Sequence, residues 1–423
     1  MTSRLRWQLS TMMFLQYAIF GAWMPILALH LNRLGISGLQ IGYIYGTLAL
    51  ASIISPFIAG QIADRYFATQ RFLAASHLLG SVLLYIIATR TTFLGIYVTM
   101  FLYALIYVPT PALGNALAFH HLPDAQKNFG PIRAWGTAGW VFAGWLFGAW
   151  LGLLDPVLHA LSPTAAHALA SWRGPEANVG QSLVLASSIS ALLGLYCLTL
   201  PHTPPRRAAR NPWAFLAALS LLRRRNFGVL VGVSFFMATQ TGFHYQLTPI
   251  FFREALSIPA AWVAPLLTIG QIGEVAMLAL LPLAIKRLGM RTTIALGIAA
   301  WPLRYLIFAL GKPTALAVAA QSLHGLAFAF FVVASQLYAN EVAQGDIRAS
   351  AQNLLVFVYG GVGAFLGNLF AGWSDVLLHR DFHTLFLVPV AITTACCLAF
   401  LLGFSERTRI AHLSAASEPT PSS

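Results

Sequence analysis

The sequence predicts an all-α integral membrane protein of 12 transmembrane helices arranged as two six-helix halves. Three observations carry this prediction. The chain of 423 residues is 58% hydrophobic and only 9% charged, against roughly 25% charged for a soluble domain, so polar surface alone could not cover its apolar mass. Apolar runs of roughly the 20 residues that cross a bilayer as a helix follow one another along nearly the whole chain. The basic residues gather in the short gaps between those runs, which is a topology pattern rather than a nucleic-acid footprint, despite a net charge of +13.

Only a helix satisfies every backbone group within one segment in lipid, so each run reads as a helix. The first, 10–31, follows the basic opening MTSRLRWQLS, which lacks an A-x-A-like cleavage site and so reads as a retained span. Span 39–63 stops at Asp64 and Arg65, and 72–89 runs from Arg71 to Arg90. Spans 93–120 and 132–154 flank a short loop with Lys127. A longer gap, about 155–181, carries Trp172 and Arg173 before span 182–200. Residues 201–226 hold six arginines and several prolines and divide the spans six and six. The second set is 227–252, 260–285, 292–311, 315–340, 348–376 and 384–404, with glycines suited to close helix packing in "GVGAFLGNLFAG". The expected domains are therefore 1–200, a linker 201–226, 227–404, and a polar, disordered tail 405–423.

With the N-terminus inside, 18 of the Lys and Arg residues fall on the inner face and 6 on the outer, leaving Arg304 within a span. That asymmetry places both termini in the cytoplasm and the central linker with them. The two halves repeat weakly: "GPIRAWGTAGW" opens the fifth span and "GDIRASAQNLL" the eleventh, with Ile-Arg-Ala recurring at 132–134 and 347–349. Such repetition fits two pseudo-symmetric bundles related by an axis along the membrane normal.

Polar residues at mid-membrane depth are expensive and point to function. Gln271 and Glu274 are three apart in the eighth span and share a face. Gln240 and His244 are four apart in the seventh, with Tyr245 and Gln246 adjacent. Arg133, Thr137 and Trp140 line one face of the fifth; Asn115, Trp23, His324 and Phe328 add to the set. Amides, a hydroxyl, a carboxylate and rings at one depth suit a neutral, polar, ring-containing solute, with rings stacking on its faces and amides reading its edges. Plainer readings compete: interhelical hydrogen bonding for a single Gln or Thr, interfacial anchoring for Trp, a surface position for Arg133, and a structural role for Arg304. Glu274 has no local i±4 cation and resists a plain reading. Asp64 and Arg65 sit at an inner loop, where a gating or structural ion-pair network fits better than solute contact; His120 and His121 read as solvated.

Cys197, Cys396 and Cys397 lie in apolar runs without metal or disulfide spacing. No metalloprotease, nucleophile-elbow, P-loop or dinucleotide motif is present. Catalysis is not expected, nor any cofactor or metal. Transport would draw on an ion gradient or on the solute's own gradient.

The twelve spans, the basic linker and Gly60, Asp64 and Arg65 after the second span resemble the major facilitator superfamily, although "GQIADRYFATQR" lacks the usual second glycine. "FLQYAIFGAW", "YVPTPALGN", "PIRAWGTAGW", "QIGEV", "AWPLRYLIFALGKP" and "IRASAQ" resemble one branch, the nucleoside:proton symporters of the NupG/XapB type, over nearly the whole chain. The resemblance implies a proton-coupled nucleoside importer of the inner membrane, working as a monomer by alternating access. It places Arg133, Thr137, Gln271 and Glu274 at binding positions, matches Gln240 and Phe328, and sets Trp140 and His324 where other aromatics stand. His244 and Gln246 follow Gln240 in less certain register. The branch carries an aspartate directly after the phenylalanine; here that position is Ala329. Proton coupling then falls to Glu274 alone or to Glu274 with His324, or it is lost and transport is facilitated. Another solute, such as a sugar or glycoside, and a non-transporting receptor remain the alternatives.

Overall fold

The computed structural model describes residues 2–57, 66–173, 178–205, 218–343 and 347–405, and Asp64 and Arg65 lie outside them. Helix makes up most of the described part of each of the twelve expected spans. Eight of these helical stretches are long and apolar enough on their own to cross a membrane, or nine with one bent pair counted. The difference has local causes. The helix Gln181–Cys197 is short, and the seventh span is interrupted. The helix Ala260–Leu310 runs for 51 residues and breaks at Gly289, whose φ of 79° is open to glycine but strained for other residues. Fifty-one residues are enough for two crossings.

Prolines interrupt several spans, and the freed backbone groups find partners. The first span, Ser3–Trp23 followed by Leu27–Arg33, is broken around Pro25. There the Tyr45 hydroxyl donates to the Met24 carbonyl at 3.1 Å and accepts from the Ala28 N–H at 3.1 Å. Pro109 and Pro111 likewise divide Phe93–Tyr107 from Thr110–His121. The long gap after the fifth span, read from sequence as a connection, contains two helices, Asp155–Leu161 and Pro163–Arg173. Arg173 ties them back, bonding Asp155 at 2.6 Å and the Trp150 carbonyl at 3.1 Å, across the sharp turn that Gly152 makes at φ 102°.

Three stretches of the second half are π-helical: Phe243–Leu247, Phe328–Val333 and Phe357–Gly363. Large apolar side chains such as Leu94, Leu310 and Leu402 are exposed around the bundle, as a surface solvated by lipid allows.

The two halves meet along two glycine-lined seams. In one, the helix Ala125–Trp150 crosses Ala260–Leu310: a Cβ on Gly148 would come within 2.6 Å of the Ala261 carbonyl oxygen, Gly144 faces Thr268, and Trp145 Nε1 donates to Thr268 Oγ1 at 3.2 Å. In the other, Gly38–Phe57 packs on Ala364–Leu377, with Gly42 against the Asn368 carbonyl. An ionic cluster closes one end of these seams. Arg380 bonds Asp375 through Nε at 2.9 Å and Nη2 at 2.8 Å. It reaches Asn32 of the first half at 2.6 Å, and Asn32 in turn donates to Glu254 at 2.8 Å.

Candidate functional site

Between the halves lies a narrow cavity. Pro25 and Trp140 line it from the first half; His244, Tyr245, Pro249, Leu267 and Gln271 line it from the second. Three of the residues expected from sequence, Trp140, His244 and Gln271, therefore meet around one cavity, the first from one half and the other two from the other.

Trp140 is placed by the fit of its helix against the first span. Gly139 lets that helix approach the backbone at Phe14, and Gly21 faces the Trp140 backbone. The indole packs on Phe20, 5.2 Å between centroids. Gln271 lines the cavity, and its Oε1 is buried with no protein partner. Glu274, one turn further, is partly buried and makes no hydrogen bond or ion pair among the described residues. Its height is fixed by backbone contact: Gly325 of the tenth span packs directly on Gly273 and the Glu274 N–H.

Across from Glu274 stands Arg133. Its guanidinium lies 4.0 Å over the Tyr17 ring, and Glu274 and Arg133 are within electrostatic range of each other and of Tyr17. The site thus holds one charge from each half, with opposite signs. Thr137 is partly buried one turn after Arg133. Tyr17 escaped the sequence reading because tyrosine in an apolar run carries no signal by itself.

Gln240 sits elsewhere. It is 3% exposed, its Nε2 donates to Tyr359 Oη at 3.2 Å, and its Oε1 accepts from Tyr305 Oη at 3.1 Å. Both ends of the amide are engaged in a tyrosine network behind the wall. Gln240 and His244 were expected on one face from their spacing of four. The π-helical turn starting at Phe243 changes that register, so His244 lines the cavity and Gln240 does not.

Behind His244 is a buried cation. Arg304 is fully buried and donates from Nη2 to His244 Nδ1 at 2.9 Å and to Gln321 Oε1 at 2.7 Å. Arginine has no acceptor, so His244 Nδ1 must accept, and the neutral imidazole carries its proton on Nε2. His324 stacks on His244 with 4.5 Å between centroids, and Phe328 stands 6.4 Å from His324. Ala329 is fully buried and does not face the cavity. Asn115 is partly buried, and Trp23 is buried against Phe20 and Tyr103.

Apolar helices in two halves, a cavity between them and opposed charges near it define a membrane transporter of the major facilitator superfamily. Crystal structures of the nucleoside transporter NupG superimpose with a TM-score of 0.80 and, in a mutant form, 0.82; both are 25% identical, and they cover 94% and 95% of this chain and 98% and 100% of those chains. The family model for the nucleoside H⁺ symporters matches residues 3–409, and the chain belongs to that family, one of transporters rather than enzymes. Among relatives in Escherichia coli (strain K12), YegT is 33% identical over 376 residues, covering 86% of this chain and 83% of that protein. The nucleoside permease NupG is 26% identical over 431 residues (95% and 96%), and the xanthosine permease is 28% identical over 423 residues (94% and 95%).

Proposed function

We propose that the protein imports nucleosides across the inner membrane by proton symport, as a monomer with both termini in the cytoplasm. The observation that carries this reading is Glu274: a partly buried carboxylate without a hydrogen bond, opposite Arg133 of the other half and one turn from a cavity wall of Trp140, His244 and Gln271. Trp140 stacks on the base. Gln271 accepts from its edge, and His244 donates from Nε2. Phe328 and His324 back the wall, and Gln240 holds the helix that carries His244.

Proton uptake at Glu274 removes the negative partner of Arg133 and lets the loaded halves rock; release restores the pair. Ala329 leaves Glu274 as the carboxylate of the site. Uptake of labelled uridine into proteoliposomes under an imposed pH gradient tests this. Parent protein should accumulate uridine against its gradient, with competition from other nucleosides. Glu274→Gln should equilibrate uridine without concentrating it. Accumulation by the variant overturns the role of Glu274, and the double variant with His324→Gln shows whether His324 shares it. Equilibration without accumulation by the parent establishes the facilitated mode, and absence of competition by any nucleoside overturns the solute.

A further inference from the structure

Arg304 is fully buried, and its two hydrogen-bond partners, His244 and Gln321, are neutral. No carboxylate pairs with it among the described residues. Around it stand the rings of Phe308, Trp301 and Tyr305, at 5.0, 5.4 and 5.7 Å from the guanidinium carbon. Such contacts offset part of the desolvation of a cation but place no counter-charge beside it.

The polar atoms left over are donors, or at His324 able to donate. Arg304 Nε and Nη1, Trp301 Nε1, Gln321 Nε2 and His324 Nδ1 are all buried without a partner. All of these assignments but that of His324 are forced. Gln321 must accept from Arg304 through Oε1, so its remaining nitrogen donates; an indole nitrogen only donates; a neutral imidazole nitrogen can donate. Buried polar groups are ordinarily paired, and this cluster combines a net positive charge with a surplus of donors, His324 Nδ1 being the one atom able to accept instead. Water would serve the donors and leave the charge. A small anion would serve both.

We propose that the Arg304 cluster is a binding site for a compact monovalent anion, either a halide or the acid group of an anionic solute. The approach is from the central cavity, because His244 both lines that cavity and bonds Arg304. The halide form does not depend on the nucleoside reading.

Thermal unfolding of the full chain in detergent tests it, with sodium chloride replacing sodium gluconate at constant ionic strength. A specific site gives the parent a saturable rise in Tm of about 2–4 °C. Gln321→Glu puts a permanent carboxylate beside Arg304; it should be insensitive to chloride, and Trp301→Phe should need more chloride for the same shift. If the parent ignores chloride but is stabilised more by orotidine, a carboxylate-bearing nucleoside, than by uridine, and Gln321→Glu erases that preference, the anion is the solute's own. Indifference of the parent to both anions, or a chloride response that survives in Gln321→Glu, means that water alone fills the cluster and overturns the proposal. A uridine shift in gluconate without any anion effect would overturn this site while leaving nucleoside binding intact.

Discussion

Glu274 and Gln271 were legible as a pair because three residues separate them on a regular helix, and the structure keeps that helix regular where it passes the cavity. Gln240 was legible as a polar residue but not as a tyrosine-held one, because the π-helical turn that follows it resets the face of His244. Arg304 was visible as a charge in a span, yet its partners come from two other helices and no local spacing announces them. Of the site residues, Trp140 offers the plainest test. A base stacked on an indole gains about 1–3 kcal/mol, so Trp140→Ala should raise the Kd for uridine by about 5- to 150-fold, measured by calorimetry on the purified protein. Trp140→Phe should recover most of that loss. Equal affinity in Trp140→Ala would remove the indole from the binding surface.

The helices were legible from hydropathy, and their interruptions were less so. Nothing in a run of apolar residues distinguishes an α turn from a π turn, and a glycine break such as Gly289 looks like any small residue in a packed helix. The helices Asp155–Leu161 and Pro163–Arg173 were missed because they are short and outside the spans. At this scale Gly325 sets the position of the Glu274 helix. Its Cβ would collide with Gly273 and the Glu274 N–H, whereas Gly360 has open space where its Cβ would stand. Overpacking costs about 1–3 kcal/mol, so Gly325→Ala should lower Tm and impair uptake, while Gly360→Ala should leave both near the parent values. A further expectation concerns the last helix, Phe382–Gly403, which Asp381 caps. Hydrogen bonds from Thr384, from its hydroxyl first and then its N–H, hold the Asp381 carboxyl below its ordinary value. The cap therefore contributes fully at neutral pH and is lost as pH falls through that lowered value. Asp381→Asn should flatten this part of the pH dependence of unfolding.

In the whole molecule, the halves are joined at one end by charge and along their length by glycine. The major facilitator fold was legible from the apolar runs, the basic linker and the repeated Ile-Arg-Ala. The ionic cluster was not, since Asn32, Glu254 and Arg380 are far apart in sequence and come together only on folding. Arg380→Ala removes the bonds to Asn32 and Asp375 and should favour separation at that end by roughly 1–3 kcal/mol, about 5- to 150-fold in the ratio of states. Distances between spin labels placed on the two halves at that end report the shift; an unchanged distribution would show that the cluster does not hold the end closed. The glycine seams act as a bearing surface. Interlocked side chains must climb out of one another before two bodies can swivel, and that friction would be met on every cycle. Gly42 meets the Asn368 carbonyl and Gly148 the Ala261 carbonyl and the Pro265 ring, with little to catch, so in the proposed transport cycle the resistance to reorientation would sit in the ionic cluster and the site charges.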